Sequence, residues 1–163
     1  MELGLSCPVL LVMCTGNVCR SPMAEALLIH HVTHLKLSAK IISRGLAAPI
    51  GRPPHPFAIQ VAEAHGVAIP STKRSEPVSG ADMRMANAVF VMDDGHRREV
   101  QRRFPSAAGK TFLLGHWQSR EISDPINMPL ASFEEAWHGI AEGVRSWIEK
   151  LVEARLLRPA KSA

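Results

Sequence analysis

The sequence predicts an α/β fold: a three-layer sandwich in which a four-stranded parallel sheet carries about five helices, distributed over both of its faces. The order of the predicted elements along the chain supports this architecture. Short apolar runs alternate along the chain with segments of helical periodicity, and strands that alternate with helices join by right-handed crossovers into a parallel sheet. The chain has 163 residues, of which 46% are hydrophobic and 21% charged, which suits one globular domain over residues 1–163.

The first half of the chain predicts strand, loop, helix, strand and helix. Residues 9–13 form a continuous apolar run, which suits a strand buried on both faces of a parallel sheet. After a polar loop, Ser21 is the expected cap of a helix that has proline in its first position and continues to His34. Residues 40–43 are the second predicted strand, and a second helix follows at about residues 56–65.

The second half predicts two more strands, at residues 88–92 and 110–114, separated by a helix at about residues 95–104. Residues 132–135, Ser-Phe-Glu-Glu, match a capping box and predict the start of a long final helix. Residues from about 159 to 163 are expected to be a disordered tail. One face of the final helix is predicted to pack on the core, because apolar residues recur at helical spacing: Phe133, Trp137, Ile140, Val144, Trp147 and Leu151.

The charge balance and the cysteine content limit the partners and the compartment. There are 19 Lys and Arg residues against 15 Asp and Glu, a net charge of +4, which favours anionic partners. The basic residues are scattered and few aromatic residues lie among them, so we expect no nucleic-acid binding. Three cysteines do not form a complete set of pairs, and the apolar run at residues 9–13 is too short to span a bilayer. We therefore expect a cytoplasmic protein without membrane insertion.

The loop between the first strand and the first helix carries the most specific signal. Five residues separate Cys14 from Arg20, a spacing that lets one tight loop surround a tetrahedral dianion. Backbone N–H groups and the positive end of the helix point at the anion, and the Arg20 guanidinium grips two of its oxygens. Gly16 and Asn17 tolerate the left-handed backbone angles of such a loop. The same field stabilises a thiolate at Cys14, to which Ser21 can donate a hydrogen bond.

A buried structural cysteine at the end of a strand is the alternative for Cys14. The joint occurrence of strand, loop, arginine, serine and helix favours a phosphate site with a nucleophilic thiol. The predicted phosphate-binding residues are Thr15, Gly16, Asn17, Val18, Cys19, Arg20 and Ser21.

Residues 14–21, followed by Pro-Met-Ala-Glu at 22–25, resemble the active-site signature of the low-molecular-weight protein tyrosine phosphatases. The likeness covers nearly the whole chain and is greatest to the bacterial members associated with capsule and exopolysaccharide tyrosine kinases. Further segments carry it: Ser-Arg-Gly at 43–45, Val-Phe-Val-Met-Asp at 89–93, Gly-His-Trp at 115–117 and Asp-Pro at 124–125.

The resemblance implies a flavodoxin-like sheet, the low-molecular-weight phosphatase fold, and a reaction without metal or cofactor. It implies an enzyme that hydrolyses phosphotyrosine in a protein substrate, such as a bacterial tyrosine kinase, and releases phosphate. It also implies a role in exopolysaccharide regulation and a chain that acts as a monomer or weak dimer.

The resemblance also implies a role for individual residues. Cys14 matches the nucleophile that forms a phosphocysteine intermediate, and Arg20 matches the group that binds phosphate and stabilises the transition state. Asp124 matches the general acid for the leaving group, which can then act as base for the hydrolytic water. Three further residues match positions that hold the loop and tune the thiolate: Asn17, Ser21 and Ser43.

Cys19 has two interpretations. The resemblance suggests a reversible disulfide with Cys14 that shields the nucleophile from over-oxidation. A packed thiol that supports the loop is the alternative, and Cys7, outside the motif, is expected to be structural.

Several positions depart from the family pattern. Ile126 follows Asp-Pro where many relatives have tyrosine, so the substrate cleft lacks one expected aromatic wall, and the chain contains no tyrosine at all. His55 stands where relatives often have aspartate, in an expected structural turn, and Arg44 replaces a common alanine. At the loop position Val18, phosphoarginine-directed relatives tend to carry threonine, so valine favours phosphotyrosine.

Three other interpretations are less favoured. His30 and His34 are four residues apart on a predicted helix, but without a third ligand a solvated face is favoured, and the other histidines have no ligand spacing. An arsenate reductase of the thioredoxin-coupled kind needs further cysteines after residue 75, and this chain has none beyond Cys19. A silent phosphate-binding module requires loss of a reactive group, yet Cys14, Arg20 and Asp124 are all present.

Overall fold

The computed structural model describes residues 7–161. The strands are β1 (Val9–Cys14), β2 (Leu37–Ser38), β3 (Lys40–Gly45), β4 (Ala88–Val91), β5 (Thr111–Leu113) and β6 (Arg158–Pro159). The helices are α1 (Arg20–His34), α2 (Pro56–Ala64), α3 (Gly80–Met85), α4 (Asp94–Arg103) and α5 (Leu130–Glu153).

Four parallel strands form the central sheet in the order β3-β1-β4-β5. All six residues of β1 are buried, and Val12 pairs with Ser43 on one side and with Phe90 on the other. From β1 the chain continues to β3 on one side of β1 and later to β4 on the other side, so the strand order reverses at β1. Open α/β sheets bind ligands at this point. The predicted α/β fold is confirmed.

Helices cover both faces of the sheet because side chains alternate along each strand. Leu10 and Val12 of β1 pack in the larger core with residues of α1, α2 and α5. Leu11 and Met13 point the other way, into a smaller core with Met83 of α3 and Val100 of α4. The three-layer arrangement is therefore confirmed, and α5 buries the predicted apolar stripe.

Two predicted helix starts are wrong. Helix α1 begins at Arg20 and not after Ser21, whose hydroxyl faces the Cys14 sulfur and caps no helix. Its proline lies within the first turn, where backbone N–H groups have no acceptor inside the helix. Helix α5 begins at Leu130, preceded by Pro129, and no side chain caps it, so the capping box at 132–135 is wrong. Proline fixes a φ that suits the residue before a first turn, and the helix therefore begins upstream of the polar residues.

Other local features were not predicted. The short helix α3 has a capping box of its own, in which Ser79 and Asp82 exchange backbone and side-chain hydrogen bonds. Strand β6 pairs with β2, and the Ala160 N–H donates to the Lys36 carbonyl over 2.7 Å. These contacts involve residues at the expected start of the disordered tail, whose residues 162 and 163 lie outside the described part.

Candidate active site

The predicted phosphate loop connects the central strand to the first helix. Cys14 is the last residue of β1 and Arg20 the first of α1, so residues 15–19 form the whole connection. Within residues 7–161, the backbone N–H groups of Gly16, Val18 and Cys19 donate no hydrogen bond to another residue. Together with the positive end of α1, these N–H groups form a site for an anion.

The Cys14 side chain is 3% exposed, and hydrogen-bond donors surround its sulfur. The Ser21 hydroxyl lies 3.0 Å from Sγ, and the backbone N–H of Asn17 donates to Sγ over 3.3 Å. Both contacts stabilise a negative sulfur, as does the positive end of α1. The sulfur thus faces hydrogen-bond donors of the loop, while the side chain also packs in the larger core.

Asn17 holds the loop in shape. It adopts a left-handed backbone conformation, with φ 56°, which asparagine tolerates better than most residues. Its side-chain Nδ2 donates to the hydroxyls of Ser21 and Ser43 over 2.8 and 3.0 Å, and its Oδ1 accepts from the Glu76 backbone over 3.0 Å. The buried amide thus ties the loop, helix α1 and strand β3 together.

Gly45 allows the loop to approach strand β3. A Cβ atom at this position would lie 2.6 Å from the Thr15 carbonyl oxygen and 3.1 Å from the Asn17 nitrogen. These atoms belong to backbone, which cannot move aside at low cost. A glycine is therefore required after Ser43 and Arg44, which explains the Ser-Arg-Gly segment physically.

Arg20 is buried and bound to groups from distant segments. Its Nη1 donates to the Ile122 carbonyl over 2.8 Å and lies 3.3 Å from the Asp93 carboxylate. Its Nη2 lies 3.5 Å from Asp124 Oδ2. The guanidinium is held at the loop with its charge balanced by two carboxylates.

Asp124 faces the same pocket from a separate loop. Its side chain is 43% exposed, and its Oδ1 accepts a hydrogen bond from the Ile126 N–H over 3.1 Å, which fixes the carboxylate beside Pro125. The pocket has a volume of about 180 Å³ and is lined by Cys14, Thr15, Gly16, Val18, Cys19, Arg20, Asp124 and Ile126. The structure thus brings together the three residues that the resemblance identifies as catalytic.

His96 is a residue of this site that the sequence did not indicate. Its ring is buried, its Nδ1 accepts from the Met92 N–H over 3.2 Å, and its Nε2 lies 3.0 Å from the Thr15 hydroxyl. Because Nδ1 accepts, Nε2 carries the proton of the neutral ring and donates to Thr15. Burial lowers the pKa of His96, with the Arg20 charge acting in the same direction and the Asp93 and Asp124 charges opposing it. The only sequence signal is the position of His96 three residues after Asp93, which accepts from its backbone N–H over 2.9 Å.

Replacing His96 by asparagine is expected to lower both activity and the pH dependence of stability. The unfolded chain takes up a proton at His96 near pH 6.5, the ordinary pKa, whereas the folded protein resists protonation. The free energy of unfolding of the wild type therefore falls as pH decreases below about 6.5, and the variant lacks this contribution. Loss of the bond to Thr15 lowers kcat/KM about fivefold, the equivalent of ~1 kcal/mol. Urea denaturation across pH 5 to 8 and steady-state kinetics measure the two effects.

His31 provides the matched control, because burial also lowers its pKa and it lies on α1 outside the loop. His31→Asn is expected to change the pH dependence of stability and leave kcat/KM unchanged. His96→Gln, whose amide extends as far as Nε2, is expected to recover part of the activity. Equal kcat/KM values for the wild type and His96→Asn would contradict a role of His96 in positioning Thr15.

Cys19 is buried beside the nucleophile. Burial raises the pKa of this thiol to about 12, and the nearby charges of Cys14 and Asp124 act in the same direction while Arg20 opposes them. The side chain is therefore a neutral thiol packed in the larger core. All three cysteines are free, Cys7 is exposed, and a disulfide between Cys14 and Cys19 stays a prediction.

Two of the residues that depart from the family pattern, His55 and Arg44, have local structural roles. The His55 Nδ1 accepts from the Phe57 N–H over 3.0 Å and caps α2, and Arg44 donates to Asp82 over 3.2 Å.

Trp117 is 44% exposed and packs edge-on against Trp147, outside the residues that line the pocket. His30 and His34 stack with ring centroids 5.3 Å apart.

Comparison with known proteins agrees with this geometry. A family model described as low molecular weight phosphotyrosine protein phosphatase matches residues 9–156. The chain is 37% identical over 142 residues to the probable low molecular weight protein-tyrosine-phosphatase EpsP of Ralstonia nicotianae. The aligned region covers 87% of this chain and 94% of that protein. It is 34% identical over 143 residues to the low molecular weight protein-tyrosine-phosphatase Wzb of Salmonella typhimurium, covering 87% and 93% of the two chains.

Two solved structures share the fold. The tyrosine phosphatase Wzb from Escherichia coli K30, in complex with sulphate, is similar at a TM-score of 0.82 and 35% identity, over 88% of this chain and 97% of that one. The YwlE arginine phosphatase from Geobacillus stearothermophilus is similar at a TM-score of 0.82 and 31% identity, over 91% and 96%. The expected family is confirmed: the chain belongs to the low molecular weight protein-tyrosine-phosphatases.

Proposed function

We propose that the chain is a protein-tyrosine-phosphatase that hydrolyses phosphotyrosine through a phosphocysteine on Cys14, with Asp124 as general acid and base. One observation carries the proposal. The Cys14 thiol, the Arg20 guanidinium and the Asp124 carboxylate line a single pocket of about 180 Å³. A nucleophile, a phosphate ligand and a proton donor are the groups that cleavage of an aryl phosphate requires.

In the first step the Cys14 sulfur forms a bond to phosphorus, and the bond from phosphorus to the phenolic oxygen breaks. The leaving oxygen receives a proton from Asp124, so that no free phenolate is expelled. Arg20 and the loop N–H groups bind the equatorial phosphate oxygens, where charge develops in the transition state. The 3.5 Å contact between Arg20 Nη2 and Asp124 gives way as the guanidinium turns its donors to the phosphate.

In the second step water attacks the phosphocysteine and Asp124 accepts its proton. The bond between sulfur and phosphorus breaks, and inorganic phosphate leaves with regeneration of the Cys14 thiolate. The Ser21 hydroxyl, 3.0 Å from Sγ, and the Asn17 N–H stabilise the sulfur as it departs. The side chains of Asn17 and Ser43 act through position only, since their hydrogen bonds hold the loop.

Aliphatic side chains at the pocket favour an aromatic substrate. Val18 and Ile126 line the pocket together with the polar catalytic groups, and Ile126 is 41% exposed. A phenyl ring packs against such groups, whereas the guanidinium of phosphoarginine needs hydrogen-bond acceptors that valine lacks. Arginine phosphatase activity is the second candidate, because a YwlE arginine phosphatase shares the fold at 31% identity.

Hydrolysis of matched phosphopeptides tests the proposal. The wild type is expected to show a kcat/KM at least about tenfold higher on phosphotyrosine than on phosphoarginine or phosphoserine, a difference of ~1.4 kcal/mol in transition-state binding. Val18→Thr adds a hydroxyl to the pocket at nearly constant volume and is expected to narrow the ratio between phosphotyrosine and phosphoarginine. A preference of the wild type for phosphoarginine would overturn the tyrosine assignment.

The cellular substrate follows from the motif resemblance and not from the pocket. We propose that it is phosphotyrosine on a bacterial tyrosine kinase of exopolysaccharide synthesis, reached in the cytoplasm. In support, the chain resembles EpsP and Wzb in sequence and carries a net charge of +4, which attracts a phosphorylated segment. In the structure, no helix within residues 7–161 combines the length and the apolar character that a membrane span needs.

A further inference from the structure

Three metal-ligating side chains meet between α2 and α5, away from the phosphate loop. His65, Glu134 and His138 place one donor atom each within 4.8 Å of one another. Among the residues that the structure describes, this His–Glu–His cluster is the one group of three or more such side chains at that spacing. None of the three lines the catalytic pocket.

Packing of the helices creates the cluster. His65 is the C-terminal cap of α2, and Glu134 and His138 lie one turn apart on α5. The two helices share the larger core through buried residues that include Val61 and Trp137. Glu134 lies 69 positions after His65 in the chain, which is why no ligand spacing is visible in the sequence.

The His65 ring is held in place before any ligand binds. It stacks on the buried indole of Trp137, with centroids 5.2 Å apart and an angle of 16° between the rings. The stack directs Nε2 toward the Glu134 carboxylate, 2.9 Å away. A preorganised imidazole loses little rotational freedom when it binds a metal.

The distances among the donor atoms suit a small transition-metal ion. The Glu134 Oε2 lies 2.9 Å from His65 Nε2 and 4.0 Å from His138 Nε2. Ligand bonds of about 2.0–2.1 Å in a tetrahedral site place ligand atoms ~3.3 Å apart. Small rotations of Glu134 and His138, which are 37% and 67% exposed, bring the three atoms to that separation.

The donor set also restricts the kind of ion. Two imidazole nitrogens and one carboxylate oxygen form the His₂Glu combination typical of zinc sites with one open position, whereas Ca²⁺ and Mg²⁺ prefer oxygen ligands throughout. A hydrogen bond between His65 and Glu134 forms without a second histidine nearby. The second imidazole one turn away gives the cluster the composition of a metal site.

We propose that the His–Glu–His cluster binds Zn²⁺ or a similar divalent transition metal and so clamps the C-terminal end of α2 to α5. The N-terminal end of α2 contacts the phosphate loop, where the His55 N–H donates to the Val18 carbonyl over 2.8 Å. The cluster lies at the opposite end of the helix. Bound metal therefore stabilises the fold without entering the chemistry at Cys14.

Thermal unfolding with the metal alone tests the site. With ZnCl₂ at a concentration well above the dissociation constant, the Tm of the metal-free protein is expected to rise by about 3 °C or more. His138→Ala at an exposed position of α5 and Glu134→Gln at a half-buried one are expected to abolish the rise. His30→Ala removes an exposed histidine of the stacked pair on α1 and is expected to retain it.

Binding of zinc to the active-site thiols gives a different pattern. In that case the rise persists in His138→Ala and Glu134→Gln and disappears in Cys14→Ser. Calorimetric titration of the same variants counts the sites, with one site fewer in His138→Ala than in the wild type when the cluster binds. Absence of a Tm rise in the wild type, or its persistence in both cluster variants, overturns the proposal.

Discussion

Replacing Cys14 by serine is expected to lower kcat/KM for aryl phosphates by about 10⁴-fold or more, because loss of a nucleophile removes the covalent pathway. A hydroxyl is a far weaker nucleophile than a thiolate near neutral pH. The donors around Cys14 remain in the variant, since Ser21 and the Asn17 N–H are unchanged. Phosphate binding is therefore expected to persist, and steady-state kinetics with calorimetric titration of phosphate separate the two effects.

Cys7 is the matched control for this experiment. It is exposed and lies outside the loop, so Cys7→Ser is expected to keep the wild-type kcat/KM. Cys14→Ser with a few per cent of the wild-type activity would show that another group attacks phosphorus. Loss of phosphate binding together with activity would instead indicate that the loop had collapsed.

Replacing Asp124 by asparagine is expected to lower kcat/KM on phosphotyrosine peptides by about 10²- to 10³-fold, within the usual range for a general acid. The ratio kcat/KM is the quantity to compare, because it covers the steps up to departure of the phenol and not hydrolysis of the phosphocysteine, which both substrates share. The amide keeps an oxygen that accepts from the Ile126 N–H, so the loop conformation is preserved. The loss should be much smaller for p-nitrophenyl phosphate, whose leaving group needs less help from a proton. Parallel kinetics on the two substrates measure the difference.

A variant of Asp93 is the control that distinguishes proton donation to the leaving group from support of Arg20. Its carboxylate also contacts Arg20, at 3.3 Å, but does not line the pocket. Asp93→Asn is expected to affect both substrates equally, because it disturbs phosphate binding and not the leaving group. An equal loss of kcat/KM on both substrates in Asp124→Asn would refute the role of general acid.

Much of the fold was predictable because its signals are local. A continuous apolar run predicts β1, and the stripe from Phe133 to Leu151 predicts the buried face of α5. Helix starts were less predictable. The first turn of α1 belongs to the phosphate loop, so the Ser21 hydroxyl serves the Cys14 sulfur and not the helix end.

The loop from Cys14 to Ser21 is likewise a local structure. Ser21 Oγ lies 3.0 Å from the sulfur although it is only seven positions further along the chain, and asparagine tolerates the left-handed conformation at position 17. The sequence motif therefore indicates the phosphate site without knowledge of the rest of the chain. The pairing of Arg20 with Asp93 and Asp124 depends on segments 73 or more residues away, and the motif resemblance alone suggested Asp124.

The sequence by itself thus indicated the layered α/β architecture, the phosphate loop and its thiol and guanidinium, because the signal for each lies in short continuous stretches of the chain. Only the tertiary structure decided which distant groups complete the site. His96 reaches Thr15 across 81 residues, and His65 meets Glu134 across 69. Such contacts depend on how helices pack against the sheet and against each other, which is set by all the buried side chains together and by no single periodicity.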